Sequence, residues 1–476
     1  MKSVLQKSLS LTVLASSLLS LGVNAAPAND PATLAQIRDG AMSSDWAYER
    51  LSDLTDLVGP RLSGSVGAAA AVEQVAAAMR KLGAKVTLQP VKVPHWVRGE
   101  EKAEVVEYTG RPDGVTQKVV LTALGGSGAT PPAGLTAPVI VVRSFEELKA
   151  KGAQVKGSIV LFDVAFDQEM ADRGEAGAAY GAGSRVRTQG PRLAAEMGAA
   201  AALVRSVGGA NYRIPHTGAT GLVDGARIPA AAVTAEDSML LSRLSARGPV
   251  KLHLTLTPQT LPDVDSFNVI ADWPGTDKAD EVVLVSGHLD SWDLATGAHD
   301  DGTGVAGAMG VIETLKKLDL HPRRTIRVVA WMNEENGTRG GRAYFEANKD
   351  KLDKHFAAIE SDEGGGRPFG FIASVTPPMV KYFAPLKTAL EPIGAGIFQR
   401  RDQAAGADIG PLERGGVPSF QPLVDASFYF SYHHTPADTL DKVSPLELKR
   451  HVAVMTSLTW FLANMDENIG RVAKSE

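Results

Sequence analysis

An apolar run that ends in a dense group of metal-binding side chains constrains this chain more than any other feature. Residues 282–285 read Val-Val-Leu-Val, a run typical of a buried strand. The stretch from there to residue 301 contains six side chains that bind divalent metals, namely His288, Asp290, Asp293, His299, Asp300 and Asp301. The pattern predicts half of a two-metal site at the end of a strand.

Strand and helix patterns alternate from residue 265 onwards, which is typical of parallel βαβ units. Strands are predicted at residues 268–271, 281–286, 324–332, 355–360 and 419–423. A helix is predicted between the second and third of these strands, at residues 304–318, with an apolar stripe at helical spacing. We therefore expect an α/β fold with a mixed, largely parallel sheet flanked by helices.

Three further acidic residues follow predicted strands, as His288 does, and a further histidine lies in a later loop. Glu334 and Glu335 follow the third predicted strand, Asp362 follows the fourth, and His434 lies in a later loop. Functional groups of open parallel sheets collect beyond the carboxyl ends of the strands. We expect these side chains to meet His288 in one site.

Imidazole and carboxylate groups are good ligands for zinc, and paired zinc ions share a carboxylate and a hydroxide that attacks a carbonyl. Asp300 lies after a glycine-containing loop and before a helix, which suits the shared carboxylate. Of the adjacent Glu334 and Glu335, one should bind metal and the other should transfer protons. Asp290 is expected to hold the second ring nitrogen of His288. Asp293, His299 and Asp301 are expected to cap the next helix.

Five motifs resemble, in order, those of the M28 family of di-zinc metallopeptidases, most closely its carboxypeptidase Q-like branch. They are Gly-His-Leu-Asp-Ser-Trp-Asp (287–293), Ala-His-Asp-Asp-Gly-Thr-Gly (298–304), Asn-Glu-Glu (333–335), Glu-Ser-Asp (360–362) and His-His-Thr-Pro-Ala-Asp-Thr (433–439). The resemblance extends over nearly the whole mature chain, including the Gly-Pro-Arg-Leu-Ser-Gly-Ser segment at residues 59–65. It implies the zinc exopeptidase fold and two bound Zn²⁺ ions.

The resemblance also implies a role for each site residue. His288 and Asp362 would hold one zinc ion, Glu335 and His434 would hold the other, and Asp300 would bridge them. Glu334 would be the general base. Many members of the family have tyrosine before the last histidine ligand, where this chain has His433. We expect His433 to replace that tyrosine as the donor to the substrate carbonyl.

The activity that the resemblance implies is hydrolysis of short peptides by a dipeptidase or aminopeptidase, through a hydroxide that bridges the metals. Two alternatives on the same fold are a single-zinc glutaminyl cyclase-like acyltransferase and a non-catalytic peptide-binding protein. The second is disfavoured because a binding protein does not need the proton-transferring Glu334 beside a metal. The number of zinc ions bound per chain distinguishes the single-zinc cyclase-like alternative from the two-zinc peptidase.

The chain of 476 residues divides, by its pattern, into a catalytic domain at residues 27–120 and 263–476 and an insertion at residues 121–262. The insertion resembles the protease-associated α/β domain that such enzymes often carry. Two helices are predicted before it, at residues 44–57 and 68–82, the second ending at Gly83.

Residues 1–25 have the pattern of a signal peptide with a small-x-small cleavage site, which predicts export to a periplasm or the exterior. A membrane anchor is the alternative, but the apolar stretch is short and lacks a basic flank. The chain has no cysteine, which excludes disulfides and a thiolate nucleophile. A net charge of -5 disfavours nucleic-acid binding. A homodimer is compatible with the sequence.

Overall fold

The computed structural model of the protein describes residues 29–221 and 227–474. The predicted signal peptide at residues 1–25 lies outside the described residues. In chain order, the helices of the described part are α1 (Pro31–Met42), α2 (Trp46–Ser52), α3 (Val66–Leu82), α4 (Phe145–Ala150), α5 (Gln168–Met170), α6 (Ala176–Glu196), α7 (Ala235–Ser245), α8 (Thr303–Lys317), α9 (Arg339–Asn348), α10 (Ala384–Leu390), α11 (Gly410–Arg414), α12 (Tyr429–Tyr432) and α13 (Pro445–Asn464).

The strands form two separate eight-stranded sheets. In chain order they are β1 (Lys85–Val97), β2 (Glu101–Tyr108), β3 (Gln117–Val119), β4 (Leu121–Ala123), β5 (Leu135–Val142), β6 (Ile159–Phe162), β7 (Ala201–Arg205), β8 (Ala230–Val233), β9 (Val250–Leu256), β10 (Gln259–Trp273), β11 (Lys278–His288), β12 (Arg324–Trp331), β13 (His355–Glu360), β14 (Pro368–Ser374), β15 (Ile397–Arg400) and β16 (Ser419–Val424).

The first sheet has the strand order β1-β10-β12-β11-β13-β16-β14-β15. Its centre, β12-β11-β13-β16, is parallel, whereas β10 pairs antiparallel with both β1 and β12, and β14 runs antiparallel to β16. This arrangement confirms the predicted mixed, largely parallel sheet flanked by helices. Each of the five strands predicted from residue 265 onwards is present, and β13 has the predicted limits.

Helices α8 and α13 pack against each other and both contact the central strands, and the apolar stripe of α8 is buried as predicted. Glycines let the two helices approach closely. A Cβ atom at Gly307 would lie 3.0 Å from Cδ2 of His451, and one at Gly310 would lie 2.9 Å from Cγ1 of Val452. The stripe of small residues on α8 therefore sets the distance between the helices.

The helices before the insertion follow the sequence in part. Helix α3 begins after Ser65, whose hydroxyl accepts a hydrogen bond from the N–H of Ala68, and it ends at Gly83 with a φ of 99°. The left-handed backbone conformation at that position favours glycine, as predicted. The helix predicted at residues 44–57 is α2 followed by a wider helical turn at Asp53–Val58.

The second sheet has the order β3-β2-β9-β5-β6-β7-β8-β4 and is covered by helices that include α6 and α7. It begins with β2 at Glu101, whereas the insertion was predicted to begin at residue 121. Strands β2 and β3 pair antiparallel, and β2 also pairs with β9, so both belong to this sheet. The charged, alternating sequence of β2 is that of a half-exposed strand and carries no sign of which sheet it joins.

None of the helices in the described ranges is both long enough and apolar enough to cross a membrane.

Candidate metal centre

The predicted ligands meet at one edge of the first sheet. His288 is the last residue of β11, and its backbone pairs with Trp331 at the end of the parallel strand β12. On the other side of β11, Ser286 pairs with Glu360 at the end of β13, two residues before Asp362. Because the strands are parallel and in register, the segments that follow them begin at the same level along the strand direction, at the carboxyl edge of the sheet.

The carboxylate of Asp300 lies between two histidine–carboxylate pairs. Its Oδ1 lies 3.1 Å from Nε2 of His288, which is also 3.2 Å from Asp362. Its Oδ2 lies 3.2 Å from Nε2 of His434, which is also 2.9 Å from Glu335. The two oxygens of one carboxylate thus face two separate groups of ligand atoms, and all five predicted ligands come together.

The five residues fit a metal centre by charge as well as by distance. Burial, followed by the charge of Asp300, raises the pKa of Glu335 to about 7. Burial likewise raises the pKa of Asp362. Burial opposes protonation of His288 and His434, yet the adjacent carboxylates raise the pKa of both imidazoles well above its usual value. A divalent cation would neutralise these buried carboxylates, and a set of imidazole nitrogen and carboxylate oxygen without thiolate suits zinc.

Asp301 is also close enough to His288 and Asp362 to share a metal with them. Its carboxylate is already engaged, because Oδ2 accepts a hydrogen bond from the backbone N–H of His288 at 3.0 Å and Oδ1 accepts one from Gly304 at 2.9 Å. Asp301 therefore joins β11 to the start of α8, as its predicted capping role requires, and Asp300 is the better ligand.

The backbone of the last motif turns two adjacent histidines to the same side. His434 has a φ of 58°, which is uncommon for a residue other than glycine and is a conformation found at functional sites. As a result the rings of His433 and His434 stack with their centroids 3.6 Å apart. Nε2 of His433 lies 3.4 Å from Oδ2 of Asp300, so His433 faces the site without taking the place of His434.

Asp290 holds the second ring nitrogen of His288, as predicted, but through its backbone. Nδ1 of His288 donates to the backbone carbonyl of Asp290 at 2.9 Å, and not to its carboxylate. The carboxylate accepts hydrogen bonds from the backbone N–H groups of Asn333 and Glu334, at 2.7 and 3.0 Å. The chain turns directly after β11, which brings the carbonyl under the ring and directs the side chain at the turn after β12. Asp290 therefore positions both His288 and Glu334.

Glu334 itself is half-buried on that turn, beside the buried candidate ligand Glu335. Burial, together with the charges of Asp362 and Glu335, raises the pKa of Glu334 well above its usual value. Glu335 is held separately, because its second oxygen accepts a hydrogen bond from the N–H of Trp292 at 3.1 Å. The adjacent glutamates thus have different surroundings, as the two predicted roles require.

Sequence analysis did not assign two residues that hold the loop carrying Asp300. Asp438 accepts hydrogen bonds from the backbone N–H groups of His299, at 2.7 Å, and Asp300, at 3.1 Å. Arg61 is fully buried and donates to the carbonyl oxygens of Leu289 and Gly297, at 2.8 and 3.0 Å. Arg61 lies in the motif at residues 59–65 and Asp438 in the motif at residues 433–439. A charged residue inside each motif was the sequence signal that could have identified them.

Two other residues of the stretch between residues 282 and 301, Asp293 and His299, do not cap a helix through their side chains. Asp293 forms an ion pair with Arg98 at 2.6 Å, which links the loop after β11 to the start of the second sheet. The ring of His299 accepts a hydrogen bond from the N–H of Gly365 at 3.1 Å. For both side chains the capping prediction was wrong, because their partners are distant in sequence.

Two cavities adjoin the site. One has a volume of about 310 Å³ and is lined by Asp362, Glu363 and Arg401, among others. The other has a volume of about 880 Å³, is lined in part by residues 171–178 and 423–427, and also includes Glu363 and Arg401. Burial and then the charge of Asp362 raise the pKa of Glu363 to about 7.

Comparison with known proteins agrees with this geometry. Residues 268–459, which include all five candidate ligands, match the sequence model of Peptidase family M28. Carboxypeptidase Q of Homo sapiens is 36% identical over 428 residues, which cover 89% of this chain and 87% of that relative.

Solved structures show the same relationship. The structure of a peptidase M28 precursor from Shewanella amazonensis has a TM-score of 0.87 at 36% identity and covers 94% of this chain and 99% of its own. A zinc aminopeptidase from Bacillus subtilis, 21% identical, shares the fold with a TM-score of 0.63, covering 90% and 98% of the two chains. Together with the match over most of the chain, these findings confirm that the protein is a peptide hydrolase, and it belongs to peptidase family M28.

Proposed function

We propose that the protein is an exported, zinc-dependent exopeptidase that hydrolyses short peptides as a dipeptidase or an aminopeptidase. The observation that carries this proposal is the position of Asp300 between the His288–Asp362 pair and the His434–Glu335 pair. These five residues would hold two zinc ions, with Asp300 shared. Bound zinc supplies Lewis acidity for the scissile carbonyl and lowers the pKa of water. Export is proposed from the sequence of residues 1–25.

Glu334 is proposed as the general base and acid. It lies in the turn after β12, where its backbone N–H donates a hydrogen bond to the carboxylate of Asp290. Its raised pKa suits a group that takes a proton from water. The same carboxyl group then protonates the leaving amine. Its neighbour Glu335 has its two oxygens directed at Trp292 and His434 and is proposed as a ligand only.

His433 is proposed as the donor to the carbonyl oxygen of the substrate. Its Nε2 faces Asp300 and lies on the same side as Nε2 of His434. An N–H group directed at the point where negative charge develops stabilises the transition state. The two cavities that share Glu363 and Arg401 support short peptides as substrates, since a carboxyl group and a guanidinium group can bind the two ends of a peptide.

The first experiment measures zinc content together with activity on dipeptides that are free or blocked at either end. We expect about two zinc ions per chain and loss of activity when one particular end is blocked. One zinc ion with full cyclisation of N-terminal glutamine would instead favour the glutaminyl cyclase alternative.

The adjacent glutamates provide a matched pair of variants. We expect Glu334→Gln to keep both zinc ions and to lower kcat by at least about 100-fold, the range found for a general base. Glu335→Gln should lower zinc content as well as activity. Activity of Glu334→Gln close to that of the unaltered protein would contradict the mechanism.

A further inference from the structure

A loop of the second sheet reaches the metal centre. It runs from β7 towards β8 and carries His216 and Thr217, both fully buried. The backbone N–H of Thr217 donates to the carbonyl oxygen of His434 at 2.9 Å. Sequence analysis assigned no role to this segment, because it lies in the predicted insertion and carries a single histidine.

Thr217 determines which nitrogen of His434 is protonated. Nδ1 of His434 lies 3.3 Å from the carbonyl oxygen of Thr217, and a carbonyl can only accept a hydrogen bond. Nδ1 therefore carries the proton of the neutral ring, and the nitrogen left to bind a metal is Nε2, which faces Glu335 and Asp300. This is the tautomer that a metal ligand needs.

His216 makes the corresponding contact with His433. Nε2 of His216 lies 3.2 Å from Nδ1 of His433, so one of the two nitrogens donates. Nε2 of His433 faces the site, 3.4 Å from Oδ2 of Asp300, and the donor role proposed for His433 requires its proton on Nε2. Nδ1 of His433 is then the acceptor and His216 is the donor.

The surroundings of His216 agree with this direction. Nδ1 of His216 has no hydrogen-bond partner within the described ranges. A buried N–H group without an acceptor is rarer in proteins than an unused acceptor, so the proton of His216 belongs on Nε2. Both ends of the contact thus indicate the same arrangement.

The second sheet holds His216 in place. Its backbone N–H donates to the hydroxyl of Ser206 at 3.0 Å. Its ring packs against Gly208, where a Cβ atom would lie 2.8 Å from ring atom Cδ2 of His216. Tyr180 of α6 contacts both rings, with centroids 5.7 Å from His216 and 4.9 Å from His433.

We propose that His216 is a positioning residue that keeps His433 in the tautomer whose Nε2–H points into the active site. This inference rests on the proposed function, in which His433 donates to the substrate carbonyl. His216, His433 and His434 are also close enough to share a metal ion. The lone pair of His434 is directed away from that position, at Glu335 and Asp300, which favours the hydrogen-bonded arrangement.

The test compares His216→Leu, which removes the donor, with His216→Gln, which keeps an N–H group at the ε position. For His216→Leu we expect kcat on a dipeptide to fall by about 10- to 100-fold, less than the loss of an oxyanion donor itself, with KM changed by less than about 3-fold and zinc content unchanged. His216→Gln should recover most of the lost kcat. His253→Leu, on β9 of the same sheet, serves as the control for replacing a histidine in this part of the molecule.

A second measurement does not depend on activity. The ¹⁵N chemical shifts of the His433 ring distinguish a protonated from an unprotonated nitrogen, and we expect an unprotonated Nδ1 in the unaltered protein and a mixture of tautomers in His216→Leu. Unchanged kcat in His216→Leu, equal losses in both variants, or loss of a third metal ion would overturn the proposal. Absence of zinc and of peptidase activity in the unaltered protein would instead contradict the proposed function and leave the ring assignment standing.

Discussion

The carboxylate of Asp438 accepts a hydrogen bond from the backbone N–H of Asp300 at 3.1 Å, and so holds the residue that lies between the two halves of the metal centre. Its other oxygen accepts from His299 at 2.7 Å. Asp438 is buried and both of its oxygens bond to the backbone of residues 299 and 300, so its contribution is to the position of the loop.

We expect Asp438→Asn to weaken zinc binding by about 10- to 100-fold, the range for groups that orient metal ligands. An amide in place of the carboxylate can accept only one of the two hydrogen bonds, so the loop carrying Asp300 loses one restraint. Titration with a competing chelator measures the change. Asp441→Asn, three residues further on and exposed, is the control, and equal affinities for the two variants would contradict this role.

Arg401 is predicted to contribute to substrate binding. It lines both cavities beside Asp362, whereas its neighbour Arg400 lines neither of them and bonds to Val375 and Asp402. We expect Arg401→Ala to raise KM by about 10-fold for a dipeptide with a free carboxylate, the loss of one charge-assisted hydrogen bond. A peptide with an amidated end should show a smaller change. Arg400→Ala is the matched control, and an equal increase in KM would exclude a specific role for Arg401.

His355 is predicted to make stability depend on pH. Its Nδ1 donates to the carbonyl of Lys351, and its Nε2 accepts from the hydroxyl of Tyr344 at 2.8 Å, an arrangement that requires a neutral ring. Burial, and after it the nearby Arg327, lowers the pKa of His355 to about 4. Below the pKa of the unfolded chain, about 6.5, the unfolded state binds a proton that the folded state does not.

The stabilisation from His355 should therefore be complete above pH 6.5 and should disappear as the pH falls through about 4, a loss of roughly 3 kcal/mol at most. Chemical unfolding of metal-free protein measures it, with His355→Gln as the reference. The stability difference between the two proteins should shrink with falling pH. An NMR titration in which the His355 ring of the folded protein protonates near pH 6.5 would contradict the prediction.

Two helical glycines, Gly310 at the contact of α8 with α13 and Gly181 in α6, are predicted to respond oppositely to substitution by alanine. Gly310→Ala would place a methyl group 2.9 Å from a branched side chain, Val452, and should destabilise the protein by about 1–3 kcal/mol. Gly181→Ala, within α6, meets no atom within 4 Å and should stabilise it by about 0.5–1 kcal/mol through helix propensity. Denaturant unfolding measures both, and combining Gly310→Ala with Val452→Ala should restore part of the loss. Equal effects of the two alanines would refute the packing argument.

The sequence by itself predicted the parallel centre of the first sheet and the five candidate ligands that the structure brings together. Apolar runs at strand length and an apolar stripe at helical spacing are local patterns, and they located β10, β11, β12, β13 and β16, whereas β14 and β15 were not predicted. Because parallel strands end at one edge, the position of His288, Glu334, Glu335 and Asp362 after such strands was enough to bring them together.

Only the tertiary structure decided how the ligands are held. The partners of Asp290, Asp300 and His433 are, respectively, the turn at 333–334, Asp438 and His216, each more than 40 residues away in sequence. Whether a side chain or a backbone carbonyl meets a given nitrogen depends on the angle at which the chain turns, and no local pattern encodes that angle. The same reason placed β2 in the second sheet, since strand pairing over long separations is settled by packing and not by the composition of the strand.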